Sequence, residues 1–257
     1  MPYLRTRMQS SPEWFESWFG SPYYRVLYQN RDDFEAQEFL ERLLAHLQPL
    51  PGSRMVDIAC GEGRFSIALA QRGFDVTGID LSHLSIDKAK RSETSNLHFY
   101  VQDMRFPFYI NYFDYAFNFF TSFGYFAKQR DHQMAANSFA KGLKEDGLLV
   151  VDYLNRDYVI RHFVAEEEIP RDKYTFSIRR KLEDNHFIKD ITFKDAEGRD
   201  RHYRESVAAF GLPEFVSIFK KAGMSLVGTF GNYALEPFSP LESTRLIMIF
   251  KKLPHAR

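Results

Sequence analysis

Apolar residues at Ala36, Phe39, Leu40, Leu43, Leu44 and Leu47 recur at three- and four-residue intervals before Pro49 and Pro51 stop the pattern. That spacing predicts an amphipathic helix over about 32–48. Beyond it, short apolar runs alternate with helical periods. Strands are expected at 55–59, 75–79, 97–102, 114–119 and 147–153, with helices at about 64–71, 82–91 (capped by Ser82) and 132–143. Strands that alternate with helices form a parallel sheet covered on both faces, because each parallel connection must cross over.

The period then changes. Between 174 and 210 the segments YTFSIRRKL, FIKDITFK and RHYRESVAAF alternate every second residue. The turn formers Glu183-Asp184-Asn185 and Glu197-Gly198 separate them, which reads as an inserted antiparallel meander. A short helix near Pro213 ends before Gly223, and two apolar runs, 224–230 and 246–250, close the chain. Their connection holds Pro237 and Pro240 and has no helical period, so these two strands are expected to be antiparallel. The fold class is therefore α/β: a doubly wound, mostly parallel seven-stranded sheet with an antiparallel last strand, preceded by helices and interrupted by the meander.

Composition narrows the function classes. In 257 residues, 34 Lys and Arg balance 34 Asp and Glu, so no global field draws the chain to nucleic acid or anionic lipid. The most apolar stretch, 113–127, is interrupted by Asp114, Asn118, Thr121 and Ser122 and is too short to span a bilayer. A single cysteine, Cys60, and a first segment without a secretory h-region point to a cytoplasmic protein. The scattered histidines form no H-E-x-x-H, and neither a G-x-S-x-G elbow nor a phosphate-binding G-x-x-x-x-G-K-[ST] loop is present. No metal site is expected.

The sharpest chemical signal is Met55-Val56-Asp57-Ile58-Ala59-Cys60-Gly61-Glu62-Gly63-Arg64, a buried strand running through a small-residue turn into a helix. Small residues at 59, 61 and 63 let backbone approach a ligand, and the helix start presents free N–H groups. Asp80 ends the next strand, where an acid can accept hydrogen bonds from both ribose hydroxyls of an adenosine. A dinucleotide fingerprint would need glycine or alanine at its third small position, which here is Ser66. A structural turn, with Asp80 capping the next helix, is the plain alternative.

These residues resemble the first motif of class I, Rossmann-like S-adenosylmethionine-dependent methyltransferases, D-x-G-x-G-x-G, with Ala59 in place of the first glycine. The resemblance implies S-adenosylmethionine as cofactor, with Ala59, Gly61 and Gly63 under its methionine and ribose portions. It also implies Asp80 and Leu81 at the ribose, Asp103 and Met104 beside the adenine, and Asn118 and Phe119 at the end of the fourth strand. It further implies residues 1–50 as a helical lid and 154–210 as a substrate-facing cap on a cofactor-binding core of 51–153 and 211–257. If the stretch before Asp32 is helical, Tyr24, Tyr28 and Arg31 share a face, and Tyr24 and Arg31 become candidates for the cofactor, Arg31 at its carboxylate. The expected reaction is in-line methyl transfer to nitrogen or oxygen of a small-molecule acceptor, not nucleic acid. Tyr125, Tyr153, His202 and Tyr233 are candidate bases by position. A nicotinamide-dependent Rossmann oxidoreductase and a non-catalytic S-adenosylmethionine-binding protein are the alternatives.

Overall fold

The computed structural model describes residues 14–29 and 33–254, which fall into two compact units. The smaller combines the described part of 1–30 with Val164–Ser206; the larger combines that of 31–163 with that of 207–257.

In the larger unit, helix α3 (Asp33–Leu47) precedes strand β1 (Arg54–Ile58), helix α4 (Arg64–Gln71), strand β2 (Asp75–Asp80), helix α5 (His83–Ala89) and strand β3 (Leu97–Val101). Strand β4 (Phe113–Asn118), helix α6 (Gln129–Gly142), strand β5 (Leu143–Leu154) and helix α7 (Arg156–Arg161) follow. After the insertion come helix α8 (Leu212–Lys221) and strands β10 (Met224–Phe230) and β11 (Arg245–Lys252). The seven strands lie in the order β10-β11-β5-β4-β1-β2-β3. Neighbours from β3 through β5 are parallel, whereas β11 runs antiparallel to both β5 and β10, as the missing helical crossover required.

The apolar stripe of α3 places Ala36, Phe39, Leu40 and Leu43 in one core with Phe65, Phe99, Phe117 and Ile247. This helix therefore counts with the sheet, although the N-terminal segment through residue 50 was expected to stand apart from it.

In the smaller unit, helices α1 (Trp14–Phe19) and α2 (Pro22–Leu27) accompany a four-stranded sheet. Its strands β6 (Glu166–Arg171), β7 (Tyr174–Glu183), β8 (His186–Lys194) and β9 (Asp200–Ala208) lie in sequence order, β9 running two residues beyond the unit's boundary. The alternation in β7 and β8 buries Phe176, Ile178, Ile191 and Phe193 against Trp18 and Leu27. Strand β6, EEEIPR, carries no apolar alternation for the sequence reading to detect. Its pairing with β7 through Glu166↔Arg179 to Arg171↔Tyr174 decides it.

Candidate functional site

The motif turn is built from left-handed backbone. Ala59, Gly61 and Gly63 have φ of 61°, 59° and 85°, a region open to glycine and costly for residues with a Cβ. A Cβ on Gly61 would point into open space, whereas one on Gly63 would run into the Phe99 ring. Gly61 thus keeps the approach to the turn clear, and Gly63 lets α4 close onto β3. Beneath them Asp57 is buried and accepts a hydrogen bond from Ser66 Oγ at 2.7 Å. Burial raises the Asp57 carboxyl to about 6, and the Ser66 bond opposes that rise. The serine that breaks a dinucleotide fingerprint is here the partner of the motif's own acid.

Asp80 ends β2 beside this turn. Its Oδ2 accepts from Gly61 N–H at 2.9 Å and its Oδ1 from Ser82 N–H at 2.8 Å, while burial raises its pKa. Leu81, half-buried, follows it, and Gln102 N–H donates to the Asp80 carbonyl, bringing the residues after β3 alongside. There Asp103 forms a bidentate pair with Arg105, Nε to Oδ1 at 3.1 Å and Nη2 to Oδ2 at 2.7 Å, and Met104 is half-buried. The Asp103 carboxylate is thus already engaged by its neighbour two residues on.

On the other side of β1, Asn118 is fully buried and its Nδ2 donates to the Ile58 carbonyl at 3.0 Å, which ties β4 to the start of the turn. Its Oδ1 is buried without a hydrogen-bond partner. Phe119 is buried and packs on Phe65 and Phe117. The fold therefore gathers Ala59, Gly61, Gly63, Asp80, Leu81, Asp103, Met104, Asn118 and Phe119 at the carboxyl edge of β1 to β4, the edge at which open α/β sheets bind ligands.

The other candidates are dispersed. Tyr24 lies in the smaller unit, its ring set edge-on to Trp18 and Phe19, and Arg31 lies outside the described residues. His202, also in the smaller unit, is exposed and bonded to Asp190 at 3.0 Å. Tyr153 is completely buried, with its hydroxyl donating to the Ala208 carbonyl and its pKa driven up by burial. The Tyr233 hydroxyl donates to Asp152 Oδ2 at 3.1 Å, and burial followed by the Asp152 charge raises its pKa. Tyr125 is half-buried after the turn that follows β4. Cys60 has its thiol pushed well up by burial, which makes it a poor nucleophile. The sequence reading passed over Asp152 and Arg245. An acid inside the run LLVVDY and an arginine at the start of the last strand were the signals available.

Residues 55–147 match a family described as a methyltransferase domain. A protein from Geobacillus sp. (strain WCH70) that bears a methyltransferase name is 31% identical over 133 residues, 51% of this chain and 53% of that one. The chain thus spans about half the length of this curated relative. Stretches of 75 residues or fewer also match 23S rRNA uracil-C5 methyltransferases. Among solved structures, an S-adenosylmethionine-dependent methyltransferase from Clostridium acetobutylicum superposes with a TM-score of 0.76 at 17% identity, covering 90% of this chain and 96% of that one. The sugar N-methyltransferase KedS8 from Streptoalloteichus sp. gives 0.68 at 20%, covering 90% and 93%. The match over 55–147 thus falls on β1 to β5 of a fold that this chain shares with S-adenosylmethionine-dependent methyltransferases.

S-adenosylmethionine is the cofactor of the Clostridium acetobutylicum protein that shares this fold, and the residues present here suit it. Each Asp80 oxygen accepts one backbone N–H and retains acceptor capacity for ribose hydroxyls, and Gly61 leaves the space above the turn clear. The buried Asn118 Oδ1 is an acceptor at the same edge.

Proposed function

We propose that this protein transfers a methyl group from S-adenosylmethionine to nitrogen or oxygen of a small-molecule acceptor. The observation that carries this reading is Asp80, joined by hydrogen bond to Gly61 across an open left-handed turn. Bound there, S-adenosylmethionine supplies a methyl carbon activated by an adjacent sulfonium. The chain's own part is binding and alignment. Asp80 takes the ribose hydroxyls, Ala59 and Gly61 bring backbone close to the ligand, and Asn118 and Phe119 close the β4 side. Displacement at carbon needs the three reacting atoms in line more than it needs an acid, so fixed geometry contributes the larger share of the rate.

The small-molecule acceptor is supported by the fold similarity, over 90% of the chain, to a sugar N-methyltransferase and by the balanced charge, which gives no global attraction for a polyanion. In this reading the segment that precedes α3 and the insertion 154–210 select the acceptor.

Methyl-labelled S-adenosylmethionine, offered with a panel of amino sugars, amines and hydroxylated small molecules and in parallel with total RNA, tests both parts. Label in a small molecule is the expected result. Label in RNA alone overturns the acceptor class, and binding of NAD with no binding of S-adenosylhomocysteine overturns the cofactor.

A further inference from the structure

Beyond Phe119 the chain of the larger unit takes two consecutive left-handed residues, Phe120 at φ 55° and Thr121 at φ 61°, neither of them glycine. Such backbone persists where its surroundings over-determine it. Here an ion pair supplies much of that surrounding, between the fully buried Asp152 and Arg245, whose side chain is one-fifth exposed. Asp152, near the end of β5 and fully buried, accepts from Arg245 Nε on β11 at 2.8 Å through Oδ1. Its Oδ2 accepts the Phe120 N–H at 2.8 Å as well as the Tyr233 hydroxyl, and its main-chain carbonyl accepts the Thr121 N–H at 2.9 Å. Arg245 Nη2 also donates to Thr121 Oγ1 at 3.1 Å, and that oxygen accepts Leu154 N–H at 3.1 Å. Among the described residues, apart from the bond from Tyr233, itself packed against Phe120, the pair's side-chain bonds to other residues run to the turn.

The turn's place in the sheet says what it borders. Along β3-β2-β1-β4 lie Asp103, then Asp80, then the glycine turn, then residues 118–121. A ligand whose ribose sits at Asp80 and whose base lies toward Asp103 therefore extends its remaining end toward the turn after β4. We propose that Asp152, clamped by Arg245, is a positioning residue of the cofactor site: it holds Phe120–Thr121 in the left-handed form that shapes the amino-acid end of the pocket. This rests on the S-adenosylmethionine reading.

The test is Asp152→Asn in the full chain, titrated calorimetrically with S-adenosylhomocysteine and with adenosine, alongside amide exchange at Phe120 and Thr121. The expected result is at least tenfold weaker binding of S-adenosylhomocysteine, adenosine within twofold of wild type, and faster exchange at both amides. Arg245→Lys, which keeps a cation on Asp152, should fall between variant and wild type. Equal losses for the two ligands, or none, overturn the proposal. Thr121→Val, which removes the hydroxyl that Arg245 and Leu154 share, makes the same comparison should Asp152→Asn not fold. A wild type that binds neither ligand overturns the function reading instead, and unchanged exchange in Asp152→Asn then rejects the clamp on its own.

Discussion

Gly61 N–H donates to Asp80 Oδ2 at 2.9 Å, so the acid expected to hold a ribose also holds the turn that the ligand must approach. One carboxylate thus shapes the site before any ligand arrives, and Ser82 N–H on its other oxygen anchors it to the start of α5.

That double duty separates two substitutions. Asp80→Asn keeps one carbonyl oxygen for backbone and should weaken S-adenosylhomocysteine binding by about 1–3 kcal/mol with a modest loss of stability. Asp80→Ala strips both N–H groups of their partner and should lower stability by a further 1–2 kcal/mol or so. Calorimetric titration and urea unfolding of both variants check this, and equal stability of the two would remove the turn-holding role.

Ala59 stands at φ 61°, at the first small position of the turn. The left-handed conformation costs an L-residue roughly 1–2 kcal/mol, and glycine gives back part of that in unfolded-chain entropy. Ala59→Gly should therefore stabilise the protein by about 0.5–1 kcal/mol, seen as a higher urea midpoint at an unchanged slope. A lower midpoint would mean that the alanine methyl makes contacts worth more than its strain.

The Asp57 carboxyl, raised from 3.8 to about 6 by burial, makes stability depend on pH with a definite sign. A folded-state pKa above the unfolded one means that the native state binds the proton more tightly. The contribution is complete below about pH 4 and is lost as pH rises through 6. Asp57→Asn cannot ionise and can still accept from Ser66. Its stability relative to wild type should rise by about 2–3 kcal/mol between pH 4 and 7. Urea unfolding at several pH values measures the difference, and a flat profile would show that Asp57 does not titrate as a buried acid.

Tyr153 and Gly124 form the other sharp pair. A Cβ on Gly124, whose φ is 91°, would collide with the Tyr153 hydroxyl. Gly124→Ala should cost about 3 kcal/mol or more, and Tyr153→Phe about 1–2, since it leaves the Ala208 carbonyl without its donor. The double variant should lose about 1 kcal/mol less than the two single losses together, because removing the hydroxyl relieves part of the collision. Tyr153→Phe should also bind S-adenosylhomocysteine as wild type does, as expected of a tyrosine whose hydroxyl is committed to the Ala208 carbonyl.

Much of this protein is determined by its sequence alone. The β/α alternation, the small-residue turn after β1 and the acid ending β2 were legible because each depends on residues close in the chain. Period decides burial, a missing Cβ permits positive φ, and a strand's end decides where an acid emerges. Strand β6 was not legible, because three glutamates and Pro170 carry no apolar period and pairing with β7 alone made it a strand. Nor were the partners that the site residues find: Asp103 with Arg105, Ser66 with Asp57, Tyr233 with Asp152. The clearest case is Asp152 and Arg245, 93 residues apart. Register in the antiparallel pair sets Arg245 opposite Leu154, and side chains two residues apart on a strand share a face, so Arg245 lies diagonally across from Asp152. Local pattern can say that each will be in a strand. Which two charges meet in the buried sheet is decided only when β11 pairs with β5, because a charge there is tolerated only beside its counter-ion.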